Sequence, residues 1–370
     1  MKNYPIAIII GTRAELIKTF PIMIELDKKK IPYYFIHTGQ HNLGDLCEKF
    51  GVKKPDLVLS EEPGKDTKFY SRINFKTFWW NVKIMFGIRK ALKKLRGLKY
   101  ALYHGDTMNT ATAAGGSSRI LNPFKRYKSV HLEAGLRSWN WKEPFPEEII
   151  RVLVGYFSDV LVAVSRDSKK NLSHHKRKKI ILGGNTILDS ANIAYGLSKK
   201  IKIKSLGKKY ALVSIHRYEN LKSKERMEKI VEIICSVDIP VYWPLHGNCE
   251  KRLVEYGLMG KISKNKNIKI LPPKDYITFV NYLAKCSLIL CDGGSLQEES
   301  LIFKKPCVIL RMTTERPEGL KSNFQFLSKL DVKKTKDKIK EFLSSRFKVK
   351  DFKNPYGEKG VSKKIIESIK

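Results

Sequence analysis

Short apolar runs recur along this chain, and at least five of them stop abruptly at charged or hydrogen-bonding residues. Tyr100–Tyr103 leads into His104-Gly105-Asp106-Thr107, and Ser129-Val130 into His131-Leu132-Glu133-Ala134-Gly135. Farther on, Tyr210–Ile215 leads into His216-Arg217, Val241–Trp243 into Pro244-Leu245-His246-Gly247, and Leu288–Cys291 into Asp292-Gly293-Gly294-Ser295. Runs of this length read as buried strands, and the helical patterns between them make the sheets parallel. One series of strands is predicted near residues 6–10, 33–37, 100–104, 128–132 and 160–164, and a second near 210–215, 240–244, 268–271, 287–291 and 306–310. The fold class that follows is α/β, with two Rossmann-like, doubly wound domains. Open α/β sheets bind ligands beyond the carboxyl ends of their strands. Polar residues repeated there predict one site assembled from both halves of the chain across a cleft.

Between the two series, His174–Lys179 and Gly183-Gly184-Asn185 read as a surface turn and hinge region. In residues 69–95, Phe75, Phe78, Trp79, Val82, Met85 and Phe86 fall at helical spacing, with Lys76, Lys83, Arg89 and Lys90 elsewhere. The preferred reading is a helix that buries this stripe against the core or a second subunit. The alternative is a basic amphipathic helix making peripheral contact with a membrane.

A chain of 370 residues exceeds one ordinary core, in keeping with two domains. No apolar run approaches the ~18 residues that span a bilayer. The start of the chain has no signal-peptide pattern, so a cytoplasmic location is expected. The six cysteines form no C-x-x-C pair and are read as buried thiols, with no metal site. The net charge of +36 raises nucleic acid as a partner. The lysines, however, are spread along the whole chain without aromatic interleaving, so no nucleic acid is expected. A basic surface that attracts phosphorylated ligands or an anionic membrane face fits better.

Gly11-Thr12-Arg13 follows the first strand and opens a helix, whose N–H groups and dipole suit a phosphate, helped by Arg13 and Lys18. A single glycine there disfavours a nicotinamide dinucleotide, and no cofactor is expected. Gly293-Gly294-Ser295 is the counterpart in the second half, with Glu299 one turn farther on, where a carboxylate can accept both ribose hydroxyls. Asp106, Glu133 and Glu147 are candidate acid/base carboxylates. Glu147 follows an aromatic, proline-rich loop, Trp141–Pro146, whose rings are expected to lower the local polarity and raise its pKa. The bland alternative is that Glu147 and Glu148 only stabilise a helix start. His216 and His246 are candidate phosphate partners. Because no D-x-D sequence occurs, a metal-clamped sugar nucleotide is disfavoured, and cations and helix dipoles must carry the leaving-group charge. No serine elbow or Walker loop is present.

These motifs together resemble the UDP-N-acetylglucosamine 2-epimerases, hydrolysing and non-hydrolysing, over nearly the whole chain. The resemblance rests on an ordered set: Gly11-Thr12-Arg13-Ala14-Glu15, Thr38-Gly39-Gln40-His41, His104-Gly105-Asp106-Thr107, His131–Arg137, Pro146-Glu147-Glu148 with Arg151, Gly184-Asn185-Thr186, His216-Arg217, Thr314–Glu318 and Asn354–Gly357. It implies a GT-B fold, with residues 1–182 plus 356–370 as one domain, 183–355 as the UDP-binding domain, and the last helix crossing back to the first. It assigns acid/base work to Asp106, Glu133 and Glu147, with Lys18, Arg151 and His216 also needed. It assigns UDP contacts to Arg13, His216, Phe279, the Gly293–Ser295 loop, Glu299 and Arg316. It implies a UDP-sugar substrate, a homodimer, and the non-hydrolysing interconversion of UDP-GlcNAc and UDP-ManNAc. The alternatives are the hydrolysing reaction or a GT-B glycosyltransferase. Departures include Asp292-Gly293-Gly294-Ser295 in place of D-S-G-G and Lys274 at a common glutamine position. At Leu43, members with an activating second UDP-sugar carry a polar residue.

Overall fold

The computed structural model describes residues 3–61, 75–141, 143–176 and 178–369. The chain divides into two compact units, Met1–Ser190 with Tyr356–Lys370, and Ala191–Pro355.

The first unit is built on a seven-stranded sheet in the order β3-β2-β1-β4-β5-β6-β7, parallel throughout. Its strands are β1 (Ile6–Ile10), β2 (Tyr33–His37), β3 (Leu57–Val58), β4 (Tyr100–His104), β5 (Lys128–Ala134), β6 (Val160–Ala163) and β7 (Lys179–Leu182). Ile6-Ala7-Ile8-Ile9-Ile10 is buried at every position, as a parallel strand covered by helices on both faces requires. The segment read from sequence as a surface turn and hinge contains a strand: β7 occupies residues 179–182. Gly183 and Gly184 then donate to the Ala163 carbonyl, and Asn185 to that of Tyr356.

Helix Phe75–Lys94 buries Thr77, Ile84, Ile88, Ala91 and Leu92, while Phe78, Trp79 and Phe86 are exposed. Phe78, Trp79 and Phe86 of the expected stripe therefore lie off the face buried within this unit, while Val82 and Met85 are half-buried. The side chain of Phe75 lies outside the described residues. The helix packs against Met108–Ser117, where two glycines make room: a Cβ at Gly116 would lie 2.7 Å from the Met85 carbonyl oxygen, and one at Gly115 2.7 Å from Met85 Sδ. Helix Glu147–Phe157 covers the other side of Met108–Ser117.

The second unit repeats the plan with six parallel strands ordered β10-β9-β8-β11-β12-β13. These are β8 (Ala211–Ser214), β9 (Val241–Pro244), β10 (Ile268–Leu271), β11 (Leu288–Cys291), β12 (Cys307–Ile309) and β13 (Gln325–Leu327). One face packs Trp243, Ile230, Ile234 and Leu290 into a core with helix Lys224–Cys235, and the other packs Tyr210, Leu283 and Ile309 with helix Tyr276–Lys285. In each unit the strand order reverses direction between the first strand and the one after the third. Crevices for ligands open at such reversals, at the carboxyl ends of the strands. The reversals fall at Gly11 and His104 in one unit and at His216 and Asp292 in the other.

Among the described residues no helix is long and apolar enough to cross a membrane. All six cysteines are free thiols; Cys291 and Cys307 lie with their sulfurs 3.7 Å apart in the second core.

Candidate active site

In the first unit, Glu133 stands at the last turn of β5, where a bulge shifts the register against β6 between Leu132 and Ala134. Its backbone φ is +66°, a left-handed conformation that a non-glycine residue adopts only when its surroundings impose it. Two side chains fix the carboxylate by hydrogen bonds, and a third lies beside it. Lys18 Nζ donates to both oxygens at 2.8 and 2.6 Å, Asn185 Nδ2 donates at 3.1 Å, and His104 Nδ1 lies 3.3 Å away. Burial holds the His104 imidazole down to about 3, so the ring is neutral at physiological pH.

Asp106 follows His104 across Gly105, whose φ of +84° lets the strand turn sharply toward the cluster. The turn is pinned by His131, whose ring contacts the Gly105 carbonyl through Nε2 at 2.7 Å. Burial lowers His131 to about 4, so this contact is made by a neutral ring donating from Nε2. Arg151 donates to Asp106 Oδ2 through Nε and Nη2 at 2.9 and 2.7 Å. The same guanidinium reaches Glu148 through Nη1 at 3.0 Å. The structure thus places two ion pairs, Lys18–Glu133 and Arg151–Asp106, at the carboxyl ends of the strands beside the sheet's reversal point.

Glu147 begins helix Glu147–Phe157 and is half-buried, while Glu148 is fully buried. Burial works to raise Glu148, but hydrogen bonds from Ser138 N and Arg137 and the charge of Arg151 outweigh it and hold the carboxyl below its ordinary value. The sequence reading named Glu148 only as a helix-start and motif residue and gave it no role in the site. The signal for it was its i,i+3 spacing to Arg151. The rings of Trp141 and Phe145, expected to enclose Glu147, are exposed. It is the Arg137 guanidinium that lies against Trp139 and Trp141, at 4.2 and 5.6 Å from the ring centres.

The helix start at Gly11-Thr12-Arg13 differs from expectation. Its amides are taken: Gly11 N and Thr12 N donate to Glu15 Oε2 at 2.7 and 3.1 Å, closing a capping box with Thr12. Glu15 also receives Asn109 Nδ2 at 2.7 Å, Thr110 Oγ1 at 3.2 Å and a short hydrogen bond from Thr107 Oγ1. Two helix N-termini are thereby stitched together by one buried carboxyl, which burial holds above its ordinary value. Arg13 is half exposed and forms a bidentate pair with Asp45 at 2.9 and 2.8 Å.

In the second unit, the buried Asp292 clamps the turn after β8, accepting His216 N at 3.0 Å, Arg217 N at 3.0 Å and Asn220 Nδ2 at 3.1 Å. Gly293 caps helix Gly294–Ile302 beneath the His216 ring: a Cβ there would lie 3.0 Å from His216 Cε1. A Cβ at Gly294 would lie 2.3 Å from Arg316 Nη1, so any side chain there would have to displace the guanidinium. Half-buried Ser295 follows in the first turn, and the helix start presents about half a positive charge. Buried Glu299 accepts a hydrogen bond from Tyr276 Oη at 2.6 Å. Phe279, three residues after Tyr276, packs partly buried beside Leu283 and Leu296. His246 is exposed at the start of helix Gly247–Glu255.

Arg316 is buried, 3.1 Å from Glu298 and paired with Glu315. Glu315 also holds Arg311 at 2.8 Å and lies 3.7 Å from Arg217, while Glu219 lies 3.8 Å from Arg311. Three arginines and three glutamates thus balance beneath the Gly293–Ser295 loop. Among the described residues no group of three or more His, Cys, Asp or Glu is arranged to hold a metal ion.

The neutral imidazoles give a measurable pH dependence. Each is depressed in the fold, so the unfolded chain takes up a proton first as pH falls below 6.5. Stability is therefore lost progressively from about pH 6.5 down to the folded values near 4 and 3. One such histidine contributes a slope of about 1.4 kcal/mol per pH unit in that window. A His131→Asn variant is expected to show a shallower fall in unfolding free energy between pH 6.5 and 4.5 than the wild type. Urea denaturation at several pH values measures it, and parallel curves for the two proteins would refute the assignment.

Residues 24–370 match the family model for UDP-N-acetylglucosamine 2-epimerase. A UDP-N-acetylglucosamine 2-epimerase of Methanococcus maripaludis is 33% identical over 383 residues, covering 99% of this chain and 98% of the relative. The solved structure of Methanocaldococcus jannaschii UDP-GlcNAc 2-epimerase in complex with UDP-GlcNAc and UDP superposes with a TM-score of 0.83 at 31% identity, covering 98% of this chain and 99% of that one. That of UDP-GlcNAc 2-epimerase from Neisseria meningitidis bound to UDP-GlcNAc gives 0.80 at 26% identity, with the same coverage. The α/β fold is the GT-B class of these enzymes.

Proposed function

This chain belongs to the UDP-N-acetylglucosamine 2-epimerase family of enzymes, and on that premise we propose that it interconverts UDP-GlcNAc and UDP-ManNAc by expelling UDP and adding it back. The observation that carries this reading is the cluster in which Asp106 and Glu133 are each held by a cation, Arg151 and Lys18, at the reversal point of one sheet.

The hydrogen on C2 of a hexose has no neighbouring carbonyl, so a base alone removes it slowly. If the C1–O bond breaks first, its electron pair leaves with UDP, and the oxocarbenium character at C1 makes C2–H acidic. A carboxylate takes that proton, and the C2–H electrons become the C1=C2 bond of 2-acetamidoglucal. Reprotonation of C2 on the opposite face, with return of the UDP oxygen to C1, gives the manno epimer. The step needs one base and one acid. Asp106 and Glu133 are assigned to these roles, with Glu147 as the third candidate on the helix that carries Arg151. A well-placed acid or base contributes about 10²–10⁴ in rate. Lys18 and Arg151 hold the two carboxyl groups in position through their hydrogen bonds.

The UDP is assigned to the second unit, with its ribose on Glu299, its base against Phe279, and its diphosphate at the Gly293-Gly294-Ser295 helix start with His216 and His246. Arg316, buried below Gly294, supports that loop with its charge. The Tyr276 hydroxyl on Glu299 supports the ribose assignment, because it orients the carboxylate.

Proton and phosphorus NMR of the pure protein with UDP-GlcNAc tests the reading. UDP-ManNAc is expected to grow in while total UDP-sugar is conserved. Accumulation of free UDP and ManNAc would instead identify the hydrolysing reaction. The same proposal includes a cytoplasmic location and a homodimer. Exposed Phe78, Trp79 and Phe86 on one helix, and Ile149, Leu153 and Tyr156 on another packed beside the same neighbour, support the dimer. Sedimentation at the mass of one 42.6 kDa chain would overturn it.

A further inference from the structure

The amino ends of β4, β5, β6 and β7 line up: Tyr100 pairs with Lys128, Val130 with Val160, and Val160 with Lys179. The connections entering these strands therefore share one edge of the first unit. It is the edge away from Asp106 and Glu133, since the five residues of β4 separate the two by about 16 Å. Residues 87–99 contain six Lys or Arg and residues 118–128 contain four, with no Asp or Glu in either. Asp159, an acid at this edge, is already engaged by Lys125 at 2.6 Å and Arg119 at 3.3 Å. Lys94, Arg96, Lys99, Arg126 and Lys128 remain exposed.

Two apolar side chains stand out among these cations. Ile120 is 72% exposed and Phe124 is 94% exposed. They do not hang from a loose loop. Buried Asn122 donates to the Gly116 carbonyl at 2.9 Å, Lys125 Nζ to the Ser117 carbonyl at 2.7 Å, and Tyr127 packs into the core below. The turn is thus anchored from beneath while it holds Ile120 and Phe124 outward. Exposing both to water has no role in the chemistry assigned above.

We propose that this edge docks the protein on an anionic phospholipid bilayer, with Ile120 and Phe124 entering the interface and the surrounding lysines and arginines meeting the headgroups. A second copy of the chain does not suit the surface, because it would set two strongly basic patches against each other. A polyanion such as nucleic acid satisfies the cations but leaves the isoleucine without a purpose. Weak apolar insertion and basic charge are the two signals that together give stable peripheral binding. Each Lys or Arg close to an anionic leaflet strengthens partitioning about fivefold, an effect confined to roughly a Debye length.

The test is co-sedimentation of the full chain with vesicles of phosphatidylcholine alone or mixed with phosphatidylglycerol. The wild type is expected to bind the mixed vesicles, to ignore the neutral ones and to release as salt rises. Ile120→Ser with Phe124→Ser is expected to weaken binding about tenfold or more, and Arg96→Glu, Arg126→Glu and Lys128→Glu together about a hundredfold or more. Both variants are expected to turn over soluble UDP-sugar at the wild-type rate, which separates docking from misfolding and from the catalytic proposal. Failure of the wild type to bind mixed vesicles would overturn the inference, as would unchanged binding by both variants. So would a duplex oligonucleotide that displaces the vesicles from this edge.

Discussion

Glu133→Gln is expected to lower kcat by about 10²–10⁴ while leaving UDP affinity unchanged. The amide keeps the size of the side chain and can still accept from Lys18 and Asn185, so the φ of +66° and the bulge of β5 are kept. What it loses is the capacity to take or give a proton. UDP affinity is spared because the nucleotide is assigned to the second unit. Turnover by NMR and UDP titration by calorimetry check the two halves of this result. A kcat within a factor of ten of wild type would remove Glu133 from the acid/base roles. A parallel loss of UDP binding would mean that the carboxylate serves ground-state affinity instead.

The second large effect is on stability. Glu315 is fully buried and faces Arg311, Arg316 and Arg217. Glu315→Gln leaves three arginines against two glutamates in a dry environment. Breaking a buried ion pair by removing one partner typically costs about 3–5 kcal/mol, because the remaining charge is left uncompensated. The second unit is expected to unfold at lower urea by that amount, and UDP binding to weaken with it, since Arg316 lies directly under Gly294. A loss below about 1 kcal/mol would show that the arginines find other partners or water.

Much of the architecture could be read in advance because parallel strands covered on both faces write themselves as short continuous apolar runs. The strand ends at His104, Glu133, His216 and Asp292 were visible for the same reason. Three of the four edge strands were not: β3, β7 and β13 have two to four residues each, whereas the fourth, β10, was read near residues 268–271. In helix Phe75–Lys94 the wheel showed a sided pattern but not which side meets the core. Ile84, Ile88 and Leu92 hold that place, with Ile88 and Met85 lying against Gly116 and Gly115 of the neighbouring helix, while Phe78, Trp79 and Phe86 are exposed.

At the site, a helix start looked like an open anion cradle, yet Glu15 closes it. Thr12-x-x-Glu15 carried the capping-box signal in plain view. What could not be read was that Thr107, Asn109 and Thr110 converge on the same carboxyl from nearly a hundred residues away. Glu148 with Arg151 and Glu315 with Arg311 did sit at helical spacing, but Glu298 and Tyr276 were given no role for a related reason, since their partners Arg316 and Glu299 lie far along the chain. Charge pairing across sequence distance has no periodicity, and only the fold brings these groups within reach of each other.

Proton exchange at C2 of the sugar tests the central claim most directly. In D₂O, the protein with UDP-GlcNAc is expected to give UDP-ManNAc carrying deuterium at C2, visible as loss of the H2 signal and its coupling to H1. Formation of UDP-ManNAc that retains its original C2 hydrogen would contradict proton removal by an enzyme carboxylate exchanging with solvent, and the elimination account with it.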